Sequence, residues 1–358
     1  MMNRHAICGL ISALVLLCGE GAGADDVVKI KAVVTEEKGK KITKEGKTHR
    51  GKVVESSPTE IVIRLQNGIS QSVPVNEIAL IRYDAEPEGL SSARGLMSSG
   101  KYSEAQKKLL NINLNSIDRP LVKEEVEYLT GFCTAKLAIG GVGTPSGAGK
   151  LMHGFVKTYP QSYHAFEANE LIGDLLVAAG KPADALGFYK KAEAPWPESK
   201  QRLGLARARS MAAQKNFEQA ITEYQKVLDS GVQGPEVERY RLEAILGKAA
   251  ALAADGRGDA GVNAVKDVIK SAERGDTEIH ARAYNALGDC YRTMNQPKEA
   301  ILQYLHTDTL YFQHPDLHAE SLARITQLWE KMEKPERAAR ARKTLSSRYP
   351  NSRWTKNR

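Results

Sequence analysis

Residues 284–307 read YNALGDCYRTMNQPKEAILQYLHT. In this stretch Tyr284, Leu287, Gly288, Tyr291, Ala300 and Tyr304 fall at the offsets of a helix-turn-helix unit. The large residues fill the gap between two helices, while Gly288 and Ala300 are small where the helices cross most closely. One such unit cannot bury its own apolar faces, so further copies are required.

Anchoring on the alanine finds them. Ala220 opens AITEYQKVL, with Ala208 and Met211 upstream and Tyr224 downstream. Ala185 opens ALGFYKKA after Ile172, Gly173 and Leu176, and Ala338 follows KPER, with Ile325 and Trp329 before it and Leu345 and Pro350 after. The step from Ala185 to Ala220 is 35 residues and that from Ala300 to Ala338 is 38. More degenerate copies surround Ala105 and Ala260, and EVEYLTGFCTAKLA and GKLMHGFVKTYP form another pair on either side of the insert GGVGTPSG. The pattern resembles the tetratricopeptide repeat, whose period is about 34 residues. The expected fold is mainly α: a right-handed α-solenoid of about seven helix pairs over residues 85–350, followed by a basic tail at 351–358. A solenoid grows by stacking neighbours, so 358 residues need no single large core. Aromatic content of 6 % and a mean hydropathy of -0.40 agree with small residues at helix crossings and wet outer faces.

Ahead of the repeats, VVKIKAVV, GKVVES, TEIVIRLQ, SQSVPV and IALIRY are short, Val- and Ile-rich and bounded by turn residues. Asn67-Gly68 is a two-residue hairpin signal. Five strands in residues 25–84 predict a small antiparallel barrel, similar to SH3-like or Sm-like modules. Tyr83 is its only aromatic residue, which disfavours proline-rich ligands. A short linker, Asp84 to Gly89, predicts that this module packs near the start of the solenoid and caps it.

Met1 to Ala24 has a basic start, an apolar run from Ala6 to Cys18 and the small-residue pattern Ala22-Gly23-Ala24. The run is shorter than the roughly 20 residues needed to span a bilayer. The expectation is a cleaved secretory leader (1–24) and a periplasmic or secreted protein beginning at Asp25. Lipidation at Cys18 is the alternative, and Leu17 stands against it, because lipoprotein leaders place a small residue there. Cys133 and Cys290 then remain as buried free thiols, since they lie several units apart.

The net charge of +8 is uneven. One basic cluster holds Lys38, Lys40, Lys41, Lys44, Lys47, Arg50 and Lys52, on the first barrel loop and the strand after it. The other runs from Arg337 to Arg358 and includes Arg340, Arg342, Lys343 and Arg348. These patches suit either a solvated surface or contact with an anionic envelope polymer or lipid. Nucleic acid is disfavoured, because no aromatic residues interleave the cations.

Chemistry is sparse. GTPSGAGK at 143–150 departs from the phosphate-loop spacing and lacks Ser or Thr after the lysine, so it reads as a flexible loop. His314 and His318 have helix-face spacing but no third ligand, and read as surface residues. Glu124 and Glu125 are adjacent, point apart, and read as a solvated helix start. No nucleophile elbow, activated cysteine or cofactor motif is present, so no enzyme activity, catalytic residue, metal or cofactor is expected.

What the resemblance leaves is a binding surface. In the repeat family the first helices line a concave groove that takes a peptide or partner helix. The corresponding positions here are Glu170, Asp174, Arg209, Asn285, Asp289, Arg292, Gln327 and Glu330. Family members that clamp a C-terminal carboxylate carry Asn after the Leu-Gly pair; Asp174 and Asp289 stand there instead and disfavour that ligand. The Tyr-Pro-x-Ser turns at 159–162 and 349–352 resemble those of periplasmic repeat proteins. Together these features predict a non-enzymatic envelope scaffold that binds a partner protein or peptide.

Overall fold

The computed structural model describes residues 25–37 and 40–356. Residues 1–24, where a leader is expected, Lys38 and Gly39, and the last two residues lie outside the described set. The chain begins with β1 (Asp26–Ile30), β2 (Val33–Glu37), β3 (Lys40–Lys44), β4 (Thr48–Ser56), β5 (Glu60–Leu65), β6 (Ser70–Pro74) and, after a 3-10 turn at Val75–Glu77, β7 (Ile78–Arg82). Five strands form one antiparallel sheet in the order β6-β5-β4-β1-β7, so β6 and β7 are its edges. The stretch expected as a loop holds a separate hairpin, β2-β3, which places Lys40, Lys41 and Lys44 on a strand, with Glu36 in register with Lys41 and Glu37 with Lys40. Period-two alternation turns Val28, Val53, Ile61, Ile63, Val73 and Ile81 to one buried face. Asn67-Gly68 makes the β5-β6 turn, with Gly68 at φ 81°.

Seven helical hairpins follow: α1 (Leu90–Ser98) with α2 (Tyr102–Leu110), α3 (Pro120–Ile139) with α4 (Pro145–Thr158), α5 (Ala165–Ala178) with α6 (Pro182–Lys191), α7 (Pro197–Ala213) with α8 (Phe217–Leu228), α9 (Pro235–Ala254) with α10 (Asp259–Ser271), α11 (Thr277–Thr293) with α12 (Pro297–Leu310), and α13 (Pro315–Lys331) with α14 (Pro335–Arg348). A last turn, α15 (Arg353–Lys356), lies in the basic tail. Eight of these helices begin on a proline, whose fixed φ suits the first helical position.

The turn inside each hairpin is the same device seven times. A backbone N–H bonds a carbonyl five residues earlier: Lys101 to Leu96, Val142 to Leu137, Lys181 to Leu176, Asn216 to Met211, Arg257 to Leu252, Gln296 to Tyr291 and Lys334 to Trp329, at 2.8–2.9 Å. The preceding residue is left-handed each time, a glycine in four turns and Lys215, Asn295 or Glu333 in the others. The insert after α3 is therefore only this turn. Residues 145–150, expected as part of a loop, are the first turns of α4, capped by Thr144, which accepts from the Gly147 N–H at 3.2 Å.

Packing follows the small-residue logic. Ala105, Ala148, Ala185, Ala220, Ala300 and Ala338 are all buried. In the fifth hairpin the anchor is Gly261, not Ala260, which is exposed: a Cβ on Gly261 would sit 2.8 Å from the Ala249 Cβ. Gly288 lies against the Tyr304 ring and Gly173 against the Tyr189 ring, as the crossing requires. The sheet and the first three hairpins share one apolar core, and smaller clusters join each later pair of neighbours.

The array also curves back on itself. The turn between α3 and α4 meets the C-terminal end: Asn351 N–H donates to the Gly141 carbonyl at 3.3 Å, and Gly140 abuts Pro315 of α13. The second and seventh hairpins are thereby in contact.

Candidate functional site

The sheet is docked across the inner face of the solenoid by a buried ion pair. Asp26 accepts from both Arg119 Nη atoms at 2.6 Å and from the backbone N–H groups of Val53 and Asp84 at 2.7 Å. Arg119 precedes α3, donates also to the Val53 carbonyl at 3.0 Å, and lies over the Tyr83 ring. Further along, Asn76 donates to Glu198 of α7 at 2.8 Å and Lys31 to Glu236 of α9 at 2.7 Å. The module thus reaches the fourth and fifth hairpins and does more than cap the first.

Between these two rows of contacts is a cavity of about 760 Å³. One wall is β7, from Ile78 to Arg82 without a gap; the opposite wall comes from the first helices α1, α3, α5, α7 and α9. Its apolar lining includes Met97, Leu129, Phe166, Trp196 and Tyr240, with Phe166 and Trp196 in edge contact at 6.1 Å.

A polar network forms the cavity floor. Arg94 joins Glu86 at 2.8 Å to Glu125 at 3.0 Å, and Glu125 accepts from the Tyr163 hydroxyl at 2.5 Å and meets His164 Nε2 at 2.9 Å. The His164 ring stacks on Tyr128 at 3.6 Å and meets the tilted Tyr163 ring at 3.8 Å. Burial alone would raise the Glu125 carboxyl, but the hydrogen bond and charge of His164, the Arg94 charge and the Tyr163 hydroxyl bring it down to about 2. Glu124 and Glu125 are both buried, which corrects the expectation of a solvated helix start. No local pattern shows that Arg94 and His164 converge on this adjacent pair.

Half of the expected groove positions share one fate and bond one first helix to the next. Glu170 of α5 meets Arg202 of α7 at 2.8 Å; Arg209 of α7 pairs with Glu243 of α9. Arg239 of α9 reaches Asp276 and, at 2.8 Å, Glu278 of α11. From α11, Asp289 lies 3.4 Å from Arg324 of α13, and Asn285 donates to the Leu317 carbonyl at 2.9 Å. Burial alone would raise the Glu278 carboxyl, but the charge and hydrogen bond of Arg282, with Arg239, hold it well below the usual range.

Asp289 is only 7 % exposed and Asn285 3 %. Asp289 Oδ1 accepts from the Tyr304 hydroxyl at 2.8 Å and pairs with Arg292 at 3.1 Å, just as Asp174 accepts from the Tyr189 hydroxyl at 2.9 Å. Gln327 is exposed, while Glu330 turns to its own hairpin and pairs with Arg342. The basic positions are partly engaged too: Arg348 lies over Phe312, while Arg340, Lys343 and Lys47 are exposed. His318, expected at the surface, is buried and bonds the Tyr349 hydroxyl at 2.7 Å and Asp308 at 2.8 Å. Cys133 and Cys290 are buried free thiols, each pushed up to about 12 by burial.

Solved structures share the helical solenoid. The Rap protein complexed with competence and sporulation factor is similar over 74 % of this chain and 76 % of its own, at 14 % identity and a TM-score of 0.54. The Rap conjugation gene regulator of plasmid pLS20, in complex with a Phr peptide, matches over 72 % and 74 %, at 15 % identity and a TM-score of 0.52. The fold is that of the tetratricopeptide-repeat solenoids. A tetratricopeptide repeat protein from Parabacteroides merdae covers 75 % of this chain and 98 % of its own, at 17 % identity and a TM-score of 0.48. No protein-family model and no curated protein matches the sequence.

Proposed function

We propose that this tetratricopeptide-repeat chain is a non-catalytic interaction protein of the cell envelope that holds a segment of a partner protein against its concave face. The observation that carries this reading is the cavity between β7 and the first helices, lined by both apolar and polar side chains and spanned by bonds that fix the sheet in place. Several of its titratable groups are paired with one another, as in the Arg94–Glu125–His164 network, and the wall offers shape and apolar contact, not an acid-base pair. The Rap structures, one complexed with competence and sporulation factor and one with a Phr peptide, support a peptide or protein ligand for this shape of solenoid. The leader pattern at Met1 to Ala24 supports an envelope location.

The test is cross-linking from the cavity wall in cells. A photoreactive residue at Phe166 or Trp196 should trap one partner, and the same probe at exposed Leu302 on α12 should not. Equal trapping at all three positions would remove the concave site from consideration. A reporter fused after residue 356 should be active only outside the cytoplasm; cytoplasmic activity would remove the envelope assignment.

A further inference from the structure

β7 is an edge strand, and its free edge faces the cavity. In a strand that presents a face, alternate residues line a neighbouring space. Here Ile78, Ala79, Leu80, Ile81 and Arg82 all line it, which happens when the backbone edge itself is presented. The other edge of β7 is laddered to β1, in register from Val27 opposite Arg82 to Ile30 opposite Ile78. Among the described residues no backbone or side-chain group bonds the outward N–H and C=O groups of β7. Exposed edges of this kind are normally covered, bulged or blocked, because they template another strand.

We infer that the cavity binds its partner by strand addition: an extended peptide extends the sheet to β6-β5-β4-β1-β7-peptide, lying between β7 and the first helices. This inference rests on the proposed function and names its mode of recognition. A helical ligand would leave the β7 groups unpaired and dry, which is costly for buried backbone donors and acceptors, whereas a strand satisfies them along its whole length. Alternate side chains of the peptide would meet Met97, Phe166 and Trp196, which favours apolar or aromatic residues at every second position. Arg82, at the end of β7, is exposed and has no ion pair among the described residues. An acidic residue near one end of the peptide complements it. The Lys31–Glu236 pair, bridging sheet and α9, neutralises the opposite side.

The experiment selects binders from a displayed library of random linear decapeptides against the protein as purified, then measures the best one as a synthetic peptide. Strand addition predicts a period of two: N-methylation of alternate peptide amides weakens binding at least about tenfold, the loss of one hydrogen bond, and methylation of the intervening amides does much less. Amide exchange in Ile78–Arg82 slows when the peptide is bound, and Arg82→Glu, an exposed change that leaves the fold intact, weakens an acidic peptide. A binder that protects α11 and α13 but leaves Ile78–Arg82 unchanged overturns strand addition and keeps the concave-face reading. Failure to select any binder overturns both. Dissociation of a dimer by Arg82→Glu assigns the edge to a second copy and overturns the partner peptide.

Discussion

Glu170 Oε2 of α5 lies 2.8 Å from Arg202 Nε of α7, inside the curve of the solenoid. Burial raises the Glu170 carboxyl to about 7, against the opposing Arg202 charge and with help from Asp174 and Glu167. The folded protein therefore binds more protons than the unfolded chain between about 4.5 and 7, so this group makes stability fall as pH rises through that window. Glu170→Gln should flatten the decline, read as denaturation midpoints at pH 5 and pH 7.5. An unchanged difference between the two pH values would refute this.

Glu125 acts at the other end of the scale. Its carboxyl is held at about 2 against 4.5, so its stabilisation is complete above 4.5 and is lost as pH falls towards 2. Glu125→Gln should be least stable relative to wild type near neutrality and converge with it in acid. If the two proteins stay equally far apart at pH 2.5, the carboxylate is not the cause.

The sheet depends on Asp26 and Arg119. Replacing Arg119 by Met leaves the Asp26 charge buried and unpaired, at about 3–5 kcal/mol. The expected result is early exchange of β1 and β4 amides and early proteolysis near Asp84 to Gly89, with the later hairpins protected. Uniform destabilisation of all seven hairpins would contradict the docking role.

Two glycines in helices should respond oppositely to alanine. A Cβ on Gly288 would sit 2.7 Å from the Tyr304 ring, whereas Gly187 of α6 has nothing within 4 Å. Gly288→Ala should destabilise by about 1–3 kcal/mol through overpacking, and Gly187→Ala should stabilise by about 0.5–1 kcal/mol through helix propensity. Denaturant titrations of the two variants check the signs.

Closure of the curve rests on Gly141, at φ 86° and with Ser352 backbone 2.7 Å from where a Cβ would be. Gly141→Ala should cost about 1–3 kcal/mol of strain or release the C-terminal end from the second hairpin. Small-angle scattering distinguishes a larger radius of gyration from an unchanged one; an unchanged radius together with unchanged stability would show that the contact holds nothing.

The number of hairpins and the strands of the sheet were legible because they rest on local periodicity. Pairs such as Gly288 and Tyr304, 16 residues apart, lie within one unit, and alternation in TEIVIRLQ needs no distant partner. The degenerate fifth hairpin shows the limit: Ala260 and Gly261 are equally small, and only the packing of Ala249 decides which one faces the crossing.

The candidate site was not legible in the same way. The sequence alone determined which residues of the first helices are polar, and so that Glu170, Asp289 and Arg209 stand at inner positions. Only the tertiary structure decided that their charges are consumed in joining one helix to the next, because each partner lies 32–35 residues away, in a neighbouring unit. It also decided that β7 is an edge facing a cavity. Strand order and the docking of Asp26 on Arg119, 93 residues apart, are properties of the assembled chain, set by which surfaces can be buried together and by no local pattern.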